Sequence, residues 1–195
     1  MFKSGKYFAL ELVLIVLSAG LFALTHVFNG WVFHFFEFSN HISWVYLPAF
    51  LRLLYVLVLG RVNGFIAILL GSLILNFKEL EEGWIWMANS LCSAAAPVIA
   101  CTFLMYWRRR RIDLSALRDL LELTVIYCVV NALIHHLVWV ALDPTQLRET
   151  FQILTMMAGD FVGCLMGVGL MKSGIDRFGL PGTRSSFRGP FPPAN

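Results

Sequence analysis

The sequence predicts an all-α fold, a polytopic transmembrane bundle of about six helices with both termini cytoplasmic. Three observations carry that expectation. Hydrophobic residues make up 58% of the chain and charged residues 14%, with a mean hydropathy of +0.73, whereas soluble globular chains carry roughly 25% charged residues. The apolar residues fall in runs near the ~20 residues that cross a bilayer. The basic residues gather on alternate connections, as retention of positive charge on the cytoplasmic side requires. Six spans use nearly all of the 195 residues, giving one membrane domain over 1–175 with no separate catalytic domain. A net charge of +3 gives a nucleic-acid partner no support.

Tyr7 to Phe28 is the first apolar run. It is too long for a signal-peptide core and has no clear small-residue cleavage pattern, so it reads as a retained helix. Trp44 to Gly60 is shorter and carries Pro48 near its start, where the missing N–H costs a helix least. Val62 to Phe77 follows across a tight Gly60-Arg61-Val62-Asn63-Gly64 turn, making a helical hairpin. Trp84 to Trp107 has aromatic residues at both ends, as at two membrane interfaces. Leu114 to Leu142 exceeds one crossing. Its first turns, to Glu122, alternate charge with leucine after an Asp113 cap and predict an amphipathic start at the membrane surface. The sixth span, Thr150 to Met171, contains Gly159, Gly163, Gly167 and Gly169, and small residues four apart permit close helix packing. Residues 176–195, rich in Gly, Pro, Ser and Arg, predict a disordered basic cytoplasmic tail.

Orientation rests on Arg108, Arg109, Arg110 and Arg111. With that loop inside, Lys3, Lys6, Arg61, Lys172, Arg177, Arg184 and Arg188 are inside as well, and only Lys78 and Arg148 lie outside. The four arginines, the start of the fifth helix and the tail form a candidate cytoplasmic contact face, and anionic lipid alone also suits them.

Given those spans, Arg52 and Asp160 fall near the midplane, about eight and ten residues from the outer helix ends, or ~12–15 Å. A charge at that depth costs several kcal/mol unless paired or hydrated. The expectation is that they face the bundle interior and pair with each other, either as a structural pin or as a functional centre. Glu11 and Glu122 lie within reach of the interface and read as interfacial residues. His26, His34, His41, His135 and His136 all fall toward the outer side, where a metal or a haem would be conceivable. No H-x-x-x-H or H-E-x-x-H spacing supports that chemistry. No cofactor is therefore expected, although the histidines keep a haem or metal open. Cys92, Cys101, Cys128 and Cys164 lie inside spans without a C-x-x-C pair and read as small buried residues. No phosphate-binding loop, nucleophile elbow or acid/base pair is present, so the chain reads as non-enzymatic.

The run Trp44-Val45-Tyr46-Leu47-Pro48-Ala49-Phe50-Leu51-Arg52-Leu53-Leu54, then Gly60-Arg61, then Leu70-Gly71-Ser72-Leu73, resembles the bacterial membrane-associated sensor (MASE-type) integral membrane domain. Met157-Ala158-Gly159-Asp160-Phe161-Val162-Gly163 resembles the Gly-Asp-x-x-Gly of that family's closing helix. Order and spacing match over roughly Tyr7 to Lys172. The sequence departs from the pattern at Phe50, where glycine is usual, and at Arg52, where an apolar residue is usual. The resemblance implies a multi-pass sensory or interaction module of a bacterial inner membrane, with Pro48, Gly159, Asp160 and Gly163 as the positions that matter.

The family's usual kinase or cyclase output does not follow Lys172. The leading expectation is therefore a sensor or accessory subunit acting through a separate membrane or cytoplasmic protein, or a larger membrane complex. A small-molecule capture or transport protein using the midplane charges is the alternative, although no internal repeat supports it. A haem- or quinone-associated redox subunit rests only on the outer histidines.

Overall fold

A computed structural model describes residues 5–39, 42–76, 84–112, 116–142, 144 and 151–178. His41, the Asp113 cap, the Lys78 to Glu82 connection, Arg148 and residues 179–195 lie outside the described residues. Among the described residues there are six α-helices: α1 (Gly5–Val32), α2 (Pro48–Val58), α3 (Arg61–Asn76), α4 (Ile85–Arg108), α5 (Leu117–Leu142) and α6 (Gln152–Phe178). The last helix runs past 175, the expected edge of the membrane domain. Between α1 and α2 lie a 3-10 turn, His34–Phe36, and a two-stranded antiparallel hairpin, β1 (Glu37–Ser39) and β2 (Ile42–Ser43), which the helical reading of the sequence did not anticipate.

Among the described residues four helices are long and apolar enough to cross a membrane: α1, α4, α5 and α6. The other two are shorter than the expected spans. α2 has 11 residues and α3 has 16, or about 16 and 24 Å against a ~30 Å hydrocarbon core. The cause is local. Val45 to Leu47 do not join the helix because their backbone is bonded elsewhere, and Pro48 then sets the first helical turn of α2. At the other end Gly60, at φ 85°, reverses the chain in a conformation that L side chains resist, and α3 begins at the next residue.

The helices α3, α4, α5, α6 and α2 pack in sequence around a ring that closes from α2 back to α3, with α1 outside against α3. Tyr127, Leu123, Ala49, Ile68, Ala94, Ala100 and Cys164 fill the centre. All four cysteines are buried. Leu10, Val13, Leu17 and Leu24 of α1 face outward, and so do Phe103, Tyr106 and Trp107 of α4. That much exposed apolar surface is stable where lipid, and not water, is the solvent.

The glycines of α6 explain how the ring closes. A Cβ on Gly159 would overlap the carbonyl oxygen of Ser43, one on Gly163 that of Tyr46, and one on Gly167 the ring of Phe50. The small-residue stripe therefore accepts the segment leading into α2, and Phe50 fills the groove at Gly167.

Candidate functional site

The segment Ser43 to Leu47 is held without being helical. Asn29, buried near the end of α1, donates from Nδ2 to the Val45 carbonyl at 3.1 Å and accepts from the Leu47 N–H on Oδ1 at 2.8 Å. Opposite, the Tyr46 N–H donates to the Gly159 carbonyl at 3.1 Å. These three bonds satisfy backbone groups that would be costly to leave unpaired in apolar surroundings. They also aim Tyr46 and the first turns of α2 into the ring.

Arg52 is the fifth residue of α2 and is 5% exposed. Its guanidinium donates to three hydroxyls: Tyr127 at 3.3 Å, Tyr46 at 3.0 Å and Ser93 at 3.0 Å. It also lies over the rings of Tyr46 and Phe22, 5.0 and 5.6 Å from their centroids, where the ring quadrupoles favour a cation. Asp160, the ninth residue of α6, is 2% exposed and accepts from Asn131 Nδ2 at 2.6 Å. The expected direct pair is not formed: among the described residues no ion pair joins Arg52 to Asp160. Each is held by neutral groups of its own.

The two charges nevertheless share one space. A cavity of about 80 Å³ is lined by both, together with His26, Tyr46, Ser72, Asn89, Ser93 and His135, and it extends past Trp139 and Met156 to Ile42 and Ser43 of the hairpin. Its walls come from the C-terminal parts of α1, α3 and α5 and the N-terminal parts of α4 and α6. It therefore occupies the end of the bundle opposite the Arg108 loop. Ser93 gains an additional feature, because Pro97 sits inside α4 four residues later and has no N–H for the Ser93 carbonyl.

Among the described residues the histidines do not gather into one group, although His26 and His135 line the same cavity. His26 Nδ1 lies 3.0 Å from the Tyr46 hydroxyl, and His135 and His136 donate from Nδ1 to the carbonyls of Asn131 and Ala132 on their own helix. His34 is exposed beside Phe35. Among the described residues no three His, Cys, Asp or Glu side chains gather as a metal site.

The arginine run divides. Arg108 reaches Asp119 at 3.3 Å and also pairs with Glu122, while Arg110 grips both carboxylate oxygens of Asp119 at 2.7 Å. Arg118 completes the group on Glu122 at 2.9 Å. Two arginines of the expected contact face thus tie α4 to α5, and Glu122 joins that network. Arg109 points outward from a left-handed backbone, φ 51°.

Asn29, Tyr46, Tyr127, Ser93 and Asn131 were not singled out by sequence reasoning. Asn131 and Ser93 carried the available signal, being polar residues in the middle of apolar runs. Tyr46 and Tyr127 did not, since tyrosine is ordinary in a membrane helix and only the fold turns both hydroxyls onto Arg52.

Fold and site together define an all-α chain with a buried, doubly charged cavity among helices of membrane-crossing length. No family model, curated protein or solved structure matches the chain. The site is therefore read from its own residues.

Proposed function

We propose that this chain is a multi-pass protein of a bacterial inner membrane that captures a small polar solute in the Arg52/Asp160 cavity. It reports occupancy to a separate partner protein, as a sensor or accessory subunit, and carries out no catalytic step. One observation supports this reading above the rest. Two buried groups of opposite charge line one cavity without neutralising each other at contact distance. Charges at such depth are costly and mark functional sites more often than packing sites. The resemblance to membrane-associated sensor domains supports the same assignment. In this reading α1, α4, α5 and α6 cross the bilayer and the α2–α3 hairpin enters from the side opposite the Arg108 loop. Whether that hairpin crosses or re-enters, the parity keeps both termini with the arginines, on the cytoplasmic side.

The test is affinity purification of the tagged protein at native level in mild detergent, with mass spectrometry of co-purifying proteins, for the wild type and Arg52→Leu. A stoichiometric partner whose recovery changes with Arg52→Leu is the expected result. A second reading, solute capture for transport, is favoured by Pro97: a helix whose backbone ladder is broken beside a buried charge resembles the interrupted helices at transporter sites. Solute uptake into proteoliposomes, with no partner recovered, would establish it in place of the first.

A further inference from the structure

Resting on that capture reading, we propose that the cavity takes a small zwitterion, with its carboxylate on Arg52 and its ammonium on Asp160. The argument begins with unspent hydrogen-bonding capacity. A guanidinium has five N–H donors and a carboxylate about four acceptor positions. Arg52 makes three bonds, all to hydroxyls, and its buried Nε has no partner. Asp160 accepts one, from Asn131. Neither charge has a countercharge at hydrogen-bonding distance: hydroxyls and an amide orient dipoles around each, and the two act on one another only through the cavity.

Tyr46 accepts from Arg52 at 3.0 Å, and its hydroxyl lies 3.0 Å from His26 Nδ1. Neither a tyrosine hydroxyl nor an imidazole supplies negative charge, so the guanidinium is the positive pole of the cavity. Asp160, on α6, is the negative pole.

Charge balance then selects the ligand class. A simple anion would satisfy Arg52 while repelling Asp160, and a simple cation would do the reverse. A neutral solute would leave both charges without an oppositely charged contact partner. A molecule with one positive and one negative group satisfies both and adds no net charge to the membrane interior. Size limits how much of the ligand is enclosed. A ~150 Å³ cavity holds the six carbons of benzene, so about 80 Å³ encloses about three non-hydrogen atoms. Even glycine, with five, must extend past Trp139 and Met156 toward the hairpin, and longer zwitterions extend further.

The experiment uses the full chain in lipid nanodiscs and measures thermal midpoints and calorimetric affinity for glycine, β-alanine and γ-aminobutyrate. Acetate and methylammonium, the separate halves, are run at the same concentrations. At least one zwitterion should bind about tenfold or more tightly than either half. Asp160→Asn, which preserves shape, should abolish that preference, as should Arg52→Leu if it folds. Acetate matching the zwitterions and surviving Asp160→Asn would overturn the inference in favour of an anion site. Methylammonium matching them would overturn it in favour of a cation site. If no zwitterion binds while partner recovery still depends on Arg52, the ligand class is wrong and the capture reading stands. If neither effect is seen, both fall.

Discussion

The two ends of this bundle treat the same side chains differently. At the Arg108 end, Arg108, Arg110 and Arg118 meet Asp119 and Glu122 directly, so each carboxylate has countercharge at contact distance. At the other end, Arg52 and Asp160 are buried, as Asp119 is, yet each is held by neutral groups across a shared cavity. The first arrangement clamps α4 to α5. The second keeps two charges available to something else. Arginine type and depth alone do not distinguish a clamp from a site. What distinguishes them is whether the partners carry countercharge.

The largest effect should come from separating the ends physically. Gly163→Val puts a branched side chain where even a Cβ overlaps the Tyr46 carbonyl, so α6 must move away from the segment that aims Tyr46 and Arg52. A cost of about 3 kcal/mol or more is expected, read as a lowered denaturation midpoint, with loss of ligand binding. The ion network on α4 and α5 should persist, visible as an unchanged Arg110–Asp119 coupling in a double-mutant cycle. A variant that retains the wild-type midpoint would show that the close approach is not needed.

Next in size is Asp119→Ala at the clamped end. Asp119 is 3% exposed and serves two arginines. Removing one member of a fully buried pair costs about 3–5 kcal/mol, but Arg108 and Arg110 are partly exposed and can turn toward headgroups and water. About 2 kcal/mol is therefore expected in denaturation, with affinity for any cavity ligand unchanged. A changed affinity would mean that the two ends communicate.

Arg52→Lys makes the converse test. It retains the charge but replaces a planar fork, bonded to three hydroxyls, with a single ammonium. Stability should fall by about 1–2 kcal/mol, while ligand binding is lost almost completely. Equal binding by the lysine variant would show that only charge matters at the cavity.

What could be read from the sequence follows the physics of each feature. Helical spans are written in long apolar runs, so α1, α4, α5 and α6 were legible, and so was a reversal at Gly60, although Arg61 to Gly64, expected in the turn, are the first residues of α3. The depth of Arg52 and Asp160 was legible for the same reason, because a charge inside an apolar run is conspicuous. Their partners were not. Contacts among α2, α4, α5 and α6 bring Arg52, Ser93, Tyr127 and Asp160 together over long sequence separations, and hydropathy carries no information about which helix faces which. The shortness of α2 was hidden too, since Trp44 to Leu47 look helical until Asn29 and Gly159 take their backbone hydrogen bonds. Arginine clustering predicted a contact face, but it could not show that Asp119 and Glu122 would occupy two of its members.

The smallest expected effect lies at Arg109 and has the opposite sign. Arg109 ends α4 at φ 51° and ψ 25°, with its N–H on the Tyr106 carbonyl at 3.3 Å. Glycine is the usual residue in that left-handed position, and an L side chain pays about 1 kcal/mol to occupy it. The side chain is exposed, and neither Arg108 nor Arg110 depends on it for the grip on Asp119. Arg109→Gly should therefore stabilise the protein by about 0.5–1 kcal/mol, the relief of strain being partly offset by the greater freedom of glycine in the unfolded chain. Equilibrium denaturation would detect the gain. A loss of 1 kcal/mol or more would place Arg109 in a bonded role and make the clamp a set of three loop arginines. A stability gain together with lost partner recovery would instead identify Arg109 as the residue of this loop that faces outward for function.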